Sequence, residues 1–562
     1  MNYHTAVSLY KRYSADKLYY WIFALIITAG FILRISQLGD NDLWIDEAFT
    51  GFLALSRDIL GYLRVDNNPP LYYLLQKGWC SVVTCNEYGL RLTSVLAGTL
   101  FIILIGSFCR QLYGNKISLA IALLAAVSPL NFYYSQEARV YSILLTVLLL
   151  FLYLQWQVIW NKATASRLLL LFITSTVALY LHFFSLIVIC ACLLIYGIGA
   201  ASGRRRIPAS YFIAVFCSLL AFVPWMYMSV FSSNSTSSEM QWIAEYLADK
   251  PLWQLPVRSI TTFLVGIQVY NNEINLFVKR YATFDSGLLF HLFYSFLAVL
   301  FFCLYVTSLA RVKLYSRKTQ LFLLEMSGLV ILPLFALVAV SLTYEPAYVV
   351  GRYDLIAYPA FLLLTACMLH ILTGKHDNAY KWSNAAVITL FVLLIGTATL
   401  RDIAYLSTPP YKGMKSDVTV VLDTVHNGDG LLVANPDAIL VWYYLQAHGI
   451  NRTGDVCVGP HKHFICRLFP EDMEQAPALQ ERYARLYKDP KWSSNVGYFL
   501  NDLTSNSRIE LLLRKIDINR GKMSLTPVGY RLVETLLHDG YKIERIIARN
   551  DLIIFDRNKV HS

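Results

Sequence analysis

Charge is scarce in this chain. Only 15% of its 562 residues are Asp, Glu, Lys or Arg, against 56% hydrophobic. Soluble domains carry about 25% charged residues. The roughly three or four soluble domains that the length alone suggests are therefore excluded. Disorder is excluded too, because disordered chains are poor in aromatics and this one has 38 Tyr, 31 Phe and 11 Trp. The familiar energy-coupling and hydrolytic signatures are missing: no Walker A loop, no Gly-rich dinucleotide fingerprint, no HExxH and no GxSxG. There is no CxxC, and despite a net charge of +11 no basic run is long enough for nucleic acid. No cleavable signal peptide is expected, since the first apolar run is long and lacks a small-residue cleavage site. What remains is a multi-pass membrane protein, with aromatics enough for interfacial belts.

A spanning helix needs about 20 mostly apolar residues. Spans are expected near 19–37, 93–109, 117–132, 141–159, 168–181, 183–201, 210–230, 287–309, 320–342, 353–373 and 384–400. The fold class is thus an α-helical polytopic membrane protein of about 11 to 13 transmembrane helices. The apolar stretch 256–270 is too short to span and reads as a re-entrant or interfacial segment. With the N-terminus cytoplasmic, the inside loops hold 16 basic residues and two acidic ones, Asp16 and Asp377. That is the expected sign of bias. Loops 36–92, 133–140, 231–286 and 343–352, and everything after Arg401, then face away from the cytoplasm, as for a protein of the inner (plasma) membrane. Two domains are expected: 1–400 in the membrane and 401–562 as a soluble extracytoplasmic α/β domain. The latter has 21 basic and 19 acidic residues. It alternates β-type runs (430–434, 496–500) with helical patterns (436–447, 507–516) and ends in a candidate hairpin over 541–555 turning at 549–551. Cys80 with Cys85, or Cys457 with Cys466, are candidate disulfides in an oxidising compartment.

The ionisable residues cluster at the span ends on one side. The first outside loop begins Leu43-Trp-Ile-Asp46-Glu47-Ala. Adjacent positions on a helix point about 100° apart, so the two carboxylates serve different partners. One suits proton acceptance from a hydroxyl; the alternative is an ordinary solvated acidic loop. The same loop continues Asn67-Asn68-Pro-Pro-Leu-Tyr72-Tyr73, in which the prolines fix a turn. The second outside loop holds Ser135-Gln-Glu137-Ala-Arg139-Val-Tyr141, either a functional pair or a structural one. His182 reaches the same face if the run 168–201 is a hairpin, and a packing histidine is the competing reading. Arg352 sits at the mouth of a later span, where its planar fork suits a phosphate or it simply snorkels to the interface.

In order, spacing and side, these motifs, with Leu90-Arg91-Leu between the second and third, resemble bacterial membrane glycosyltransferases of family 39. These belong to the C-type superfamily, with protein O-mannosyltransferases and the lipid A aminoarabinose transferase. The resemblance implies the C-type fold and transfer of a sugar from a polyprenyl-phosphate carrier to a lipid, glycan or protein acceptor, generally with inversion. It implies Asp46 as general base and Glu47 as its catalytic neighbour, supporting the loop or binding a metal. Asn68, Tyr72, Glu137, Arg139, Tyr141 and His182 would line the substrate site, and Arg352 would hold the carrier phosphate. Relatives with a Glu-Lys-Pro-Pro motif carry Lys where this chain has Asn68. Metal use varies across the superfamily; a divalent cation would be held by Asp46, Glu47, Glu137 or His182. The alternatives are a transporter or flippase of lipid-linked sugars, and a non-catalytic scaffold displaying 401–562. The transporter class places its ionisable groups near the bilayer midplane, whereas here the candidate site residues cluster in the outside loops.

Overall fold

A computed structural model describes residues 3–56, 59, 68–203, 205–232, 241–248, 250–266, 287–343, 346–374, 381–407, 414–426, 429–434, 438–453, 456–458, 463–469, 508–513, 517–519, 522–524, 533, 536–537, 541–547 and 552–556. In chain order the helices of the membrane part are α1 (Tyr3–Ile35), α2 (Ile45–Leu55), α3 (Leu71–Cys80), α4 (Glu87–Tyr113), α5 (Asn115–Val127), α6 (Pro129–Ser135), α7 (Tyr141–Trp160), α8 (Ala165–Leu181), α9 (Ser185–Ala201), α10 (Ala209–Ser232), α11 (Gln241–Ala248), α12 (Leu255–Val265), α13 (Gly287–Arg311), α14 (Arg317–Thr343), α15 (Tyr358–Thr373) and α16 (Lys381–Ser407).

Among the described residues, eight helices are long and apolar enough to cross a membrane, and the bent pair α5–α6 makes a ninth. The two shorter apolar helices, α8 and α9, fill the remaining pair of expected spans. Helix is the natural outcome for such runs, because a bilayer offers backbone N–H and C=O groups no water. The span around α15 is 94% buried and forms the centre of the bundle, whereas that of α1 is 22% buried and turns Leu18, Trp21 and Leu25 outward. The α5–α6 pair bends by 54° at Ser128. Pro129 disfavours helix in the residue before it and restarts the helix at its own first position. The expected loop 133–140 is accordingly shorter, since α6 runs to Ser135.

The break is held together by Arg34, fully buried on α1. Its guanidinium donates to the carbonyls of Ala125 (3.1 Å) and Ala126 (2.8 Å), which the bend strips of helical partners, and to Ser135 Oγ (3.1 Å). The expected re-entrant stretch at 256–270 is α12 up to Val265, with Phe263, Leu264 and Val265 buried; 267–270 lie outside the described residues. Arg401 caps α12 by donating to the Val265 carbonyl (2.6 Å). Arg401 itself lies inside α16, which runs past the boundary expected at residue 401 to Ser407.

Beyond α16 come α17 (Met414–Thr424), α18 (Ala438–Ala447) and a seven-stranded mixed sheet. Its strands are β1 (Gly430–Ala434), β2 (Asn451–Thr453), β3 (Val456–Val458), β4 (His463–Phe469), β5 (Arg508–Leu513), β8 (Lys542–Ile547) and β9 (Leu552–Asp556), in the order β2-β3-β4-β1-β5-β9-β8. β6 (Asp517–Asn519) and β7 (Lys522–Ser524) pair separately. β1 is central and parallel to both β4 and β5. The α/β character is as expected, but the helix expected over 507–516 is instead β5. That run sits between β1 and β9 with Ile509 and Leu511 buried, and pairing on both edges decides against helix. The closing hairpin is present as β8–β9, with its turn outside the described residues, as is the run 496–500. Cys80 and Cys85 form a disulfide. Cys457 lies opposite Phe464 in the ladder, not Cys466.

Arg34→Met removes donors from two buried carbonyls. The thermal unfolding midpoint of the detergent-solubilised protein should fall, by the equivalent of about 3 kcal/mol. An unchanged midpoint would show that Arg34 does not brace the bend.

Candidate active site

The turn 38–44 leads into α2, whose first residues carry the adjacent carboxylates. Asp46 and Glu47 diverge as helical geometry requires. Asp46 is partly exposed, and its Oδ2 lies 2.5 Å from Arg352 Nη2 and 3.5 Å from Arg139 Nη2. Arg139 also donates to the Asp46 carbonyl (3.2 Å). Arg352 Nε donates to Tyr141 Oη (2.8 Å), and the guanidinium lies within 6 Å of the rings of Trp44, Tyr141 and Tyr353. Aromatic faces favour a cation and hold its plane. One carboxylate oxygen is thus flanked by two arginines brought from separate loops.

Glu47 points the other way and is 1% exposed. It forms a two-pronged pair with Arg91 of α4, with Arg91 Nε to Oε1 at 2.8 Å and Nη2 to Oε2 at 2.7 Å. The Ala138 N–H donates to Oε1 (2.6 Å) and the Trp44 N–H to Oε2 (3.3 Å). The remaining Arg91 donors take the carbonyls of Leu38, Asn41 and Asp42 (3.0, 2.8 and 2.9 Å). Four hydrogen bonds thus hold Glu47 inside the fold, in keeping with the loop-supporting role that is one of the two expected of it. It ties the first-loop turn to α4 and to the second loop. Both of its oxygens are spent, which leaves none for a cation.

The other expected residues fall into two groups. Glu137, Tyr141 and His182 are buried close by, with the Tyr141 and His182 rings 6.0 Å apart. Burial, then the nearby Glu47, pushes the Glu137 carboxyl up to about 8, against the pull of Tyr133, Arg352 and Arg139. Burial, then the charges of Arg139 and Arg352, push the His182 imidazole down to about 3, so it is neutral at physiological pH. The Phe184 N–H donates to His182 Nδ1 (3.2 Å), which leaves the ring proton on Nε2. Tyr72 is buried, and its hydroxyl accepts from Gln76 (3.0 Å). Asn68 stays exposed just before α3. Among the described residues no three of His, Cys, Asp or Glu gather into a group able to hold a metal ion, and Asp46, Glu47, Glu137 and His182 form none. No step below uses a divalent cation.

Sequence reasoning gave Arg91 and Tyr353 no role at the site. An arginine five residues into an apolar helix implies a buried partner, a signal that points to Arg91 without naming Glu47. Tyr353 carries no comparable signal, because an aromatic at a span end is the general rule.

Residues 67–228, from the Asn-Asn-Pro-Pro motif through most of α10, match the family described as dolichyl-phosphate-mannose-protein mannosyltransferase. That stretch includes Glu137, Arg139, Tyr141 and His182 but neither Asp46 nor Arg352. In fold, the chain is similar to ArnT from Cupriavidus metallidurans bound to undecaprenyl phosphate, with a TM-score of 0.52 at 11% identity over 95% of this chain and 97% of that one. The apo form of the same protein gives 0.54 at 11% identity over 97% and 98%. No curated protein matches the chain in sequence. The expected fold, a polytopic helical bundle followed by an α/β domain, is the fold shared with ArnT, and the stretch 67–228 matches a family among those the motifs resemble.

Two outcomes follow. Arg91→Met leaves Glu47 charged and buried alone, and should cost about 3–5 kcal/mol in unfolding free energy; Glu47→Gln/Arg91→Met should recover part of it. Recovery of nothing would mean that Arg91 acts through the loop carbonyls instead. The raised Glu137 carboxyl makes the native state bind more protons than the unfolded one between pH 4.5 and about 8. Its destabilising effect is therefore absent below pH 4.5, grows as pH rises through that window and is complete above about 8. Glu137→Gln should raise the unfolding midpoint at pH 9 and leave it unchanged at pH 4; a pH-independent difference would refute the shift.

Proposed function

We propose that the chain is a membrane glycosyltransferase that moves a sugar from a polyprenyl-phosphate-linked donor to an acceptor hydroxyl at the extracytoplasmic surface of the plasma membrane, with inversion. The observation that carries this reading is Asp46 Oδ2 lying between Arg352 and Arg139. It joins a partly exposed carboxylate to two guanidinium groups of the kind that grip phosphate oxygens in pairs. The fold shared with ArnT, the match of 67–228 and the polarity of the loop charges support the same reading.

The chemistry needs both halves. Asp46 takes the proton of the acceptor hydroxyl as that oxygen bonds to the sugar's anomeric carbon. The bond from that carbon to the carrier phosphate breaks, and its electron pair leaves on the phosphate. Arg352 and Arg139 stabilise that developing anion, where fixed positive charge does most for the barrier. In the structure Arg352 rests on Asp46. An arriving phosphate competes for the same fork, so donor binding draws the arginine off the carboxylate and leaves the base free. Tyr141 and the aromatic rings beside Arg352 guide the guanidinium between its two positions. Glu137, protonated below about pH 8, presents no second negative charge to the phosphate.

Purified protein in nanodiscs, supplied with a panel of radiolabelled polyprenyl-phosphate sugars, tests this. Wild type should consume one donor. Asp46→Asn should lower kcat by about 100- to 10,000-fold, the usual contribution of a general base, while still binding donor. Arg352→Ala should raise the donor KM. Donor binding by wild type without consumption of any donor would overturn the reading in favour of a transporter of lipid-linked sugars.

A further inference from the structure

The base proposed above stands on a short helix that is braced from two sides. From the membrane part, Arg91 and Ala138 hold Glu47, and Arg91 holds three carbonyls of the preceding turn. The second brace comes from the C-terminal domain. α18 packs along α2, and its two adjacent tyrosines are buried there. The Leu43 N–H, three residues before Asp46, donates to Tyr444 Oη at 3.0 Å in a buried setting. Tyr443 lies against Gly51, where a Cβ would come within 2.5 Å of its ring and 3.0 Å of Leu90. Tyr443 Oη donates to the Cys85 carbonyl (3.2 Å) in the disulfide-closed turn before α4. At the start of α17, the Lys415 N–H donates to Asp42 Oδ2 (3.3 Å) and Lys415 Nζ pairs with Glu87 at 2.9 Å.

These contacts share a logic. None touches Asp46; some fix the backbone on either side of it and the others tie the same domain to α4. Leu43 sets the start of α2, Gly51 sets its distance from α18 and from Leu90, and Cys85 and Glu87 tie the same domain to α4, which carries Arg91. Gly51 is the only residue type that allows so close an approach. A buried N–H such as that of Leu43 has no water to fall back on once Tyr444 loses its hydroxyl.

We propose that the C-terminal domain is a clamp on the catalytic helix, with Tyr443 and Tyr444 as positioning residues that set where Asp46 stands relative to Arg139 and Arg352. The proposal takes Asp46 as the reacting carboxylate and so rests on the reading above. It assigns the domain to the rate of transfer, independently of any choice of acceptor. Displacement of a reacting group by about 1 Å costs on the order of 100-fold in rate, so a clamp is felt in kcat. The donor phosphate contacts, on Arg139 and Arg352, lie on other loops and are spared.

The test uses the full chain in nanodiscs with two independent readouts. Tyr444→Phe keeps the ring and loses the hydroxyl. Gly51→Ala adds the Cβ that meets Tyr443. Each should lower kcat at least tenfold with the donor KM within twofold of wild type. Gly51→Ala/Tyr443→Leu, which makes room for the Cβ, should recover kcat over Gly51→Ala alone. Hydrogen exchange of the 42–55 amides should quicken at least tenfold in Tyr444→Phe, and this readout holds whether or not the protein transfers sugar. A wild type that transfers no sugar overturns the base assignment. Unchanged exchange in Tyr444→Phe overturns the clamp whatever the activity, as does wild-type kcat in a well-inserted Tyr444→Phe, or a loss confined to KM. Should Gly51→Ala fail to insert, Tyr444→Phe alone decides by the same two readouts.

Discussion

The buried pair of Glu47 and Arg91 is the constraint on which the rest of the site depends. Two opposite charges removed from water are costly unless nearly every donor and acceptor is used. Here the hydrogen bonds run to Trp44, Ala138, Leu38, Asn41 and Asp42, so that one ion pair stitches two loops and a spanning helix together. Because helical neighbours diverge by about 100°, locking Glu47 inward fixes the direction of Asp46. The adjacency of two acidic residues thus carries a division of labour: one is satisfied and immobile, the other is left where a ligand can reach it.

Asp46 and its two arginines form the opposite kind of arrangement. Asp46 and Arg352 are only partly screened from solvent while Arg139 is buried, and the contacts are shared among three groups instead of being saturated. A carboxylate already paired to arginine is a weak base. The same arginine is a strong ligand for phosphate. In the proposed reading the site rests until an anion redistributes the partners, and in the arrangement seen here the guanidinium lies against the rings of Trp44, Tyr141 and Tyr353.

Much of this was legible in the sequence. The spans were readable because a bilayer leaves backbone groups no alternative to helix, and all eleven expected runs correspond to apolar helices or to the bent pair. Asp46, Arg139 and Arg352 stood out because charge at the mouth of a span needs a reason. Their meeting was not legible, since Arg352 lies 306 positions from Asp46 and only the bundle brings them together. Nor was the fate of Glu47, whose partner is 44 positions away. The run over 507–516 was misread because clustered Leu and Ile residues suit a buried strand as well as a helix, and the neighbours β1 and β9 decide. The shortening of the second outside loop followed from Pro129 restarting a helix, a local effect that hydropathy does not register.

The two short helices, α8 and α9, have a consequence for the lipid around the protein. Each is 17 residues long and so rises about 25 Å, against about 30 Å of hydrocarbon in a typical bilayer. Both turn leucines and isoleucines outward, among them Leu169, Leu170, Leu194 and Ile198. Lipid meeting that face must thin to match it, at a modest cost per ångström. The turn joining the two helices carries His182, beside Tyr141 and Tyr353. The mismatch therefore falls on the pair of helices whose joining turn borders the site.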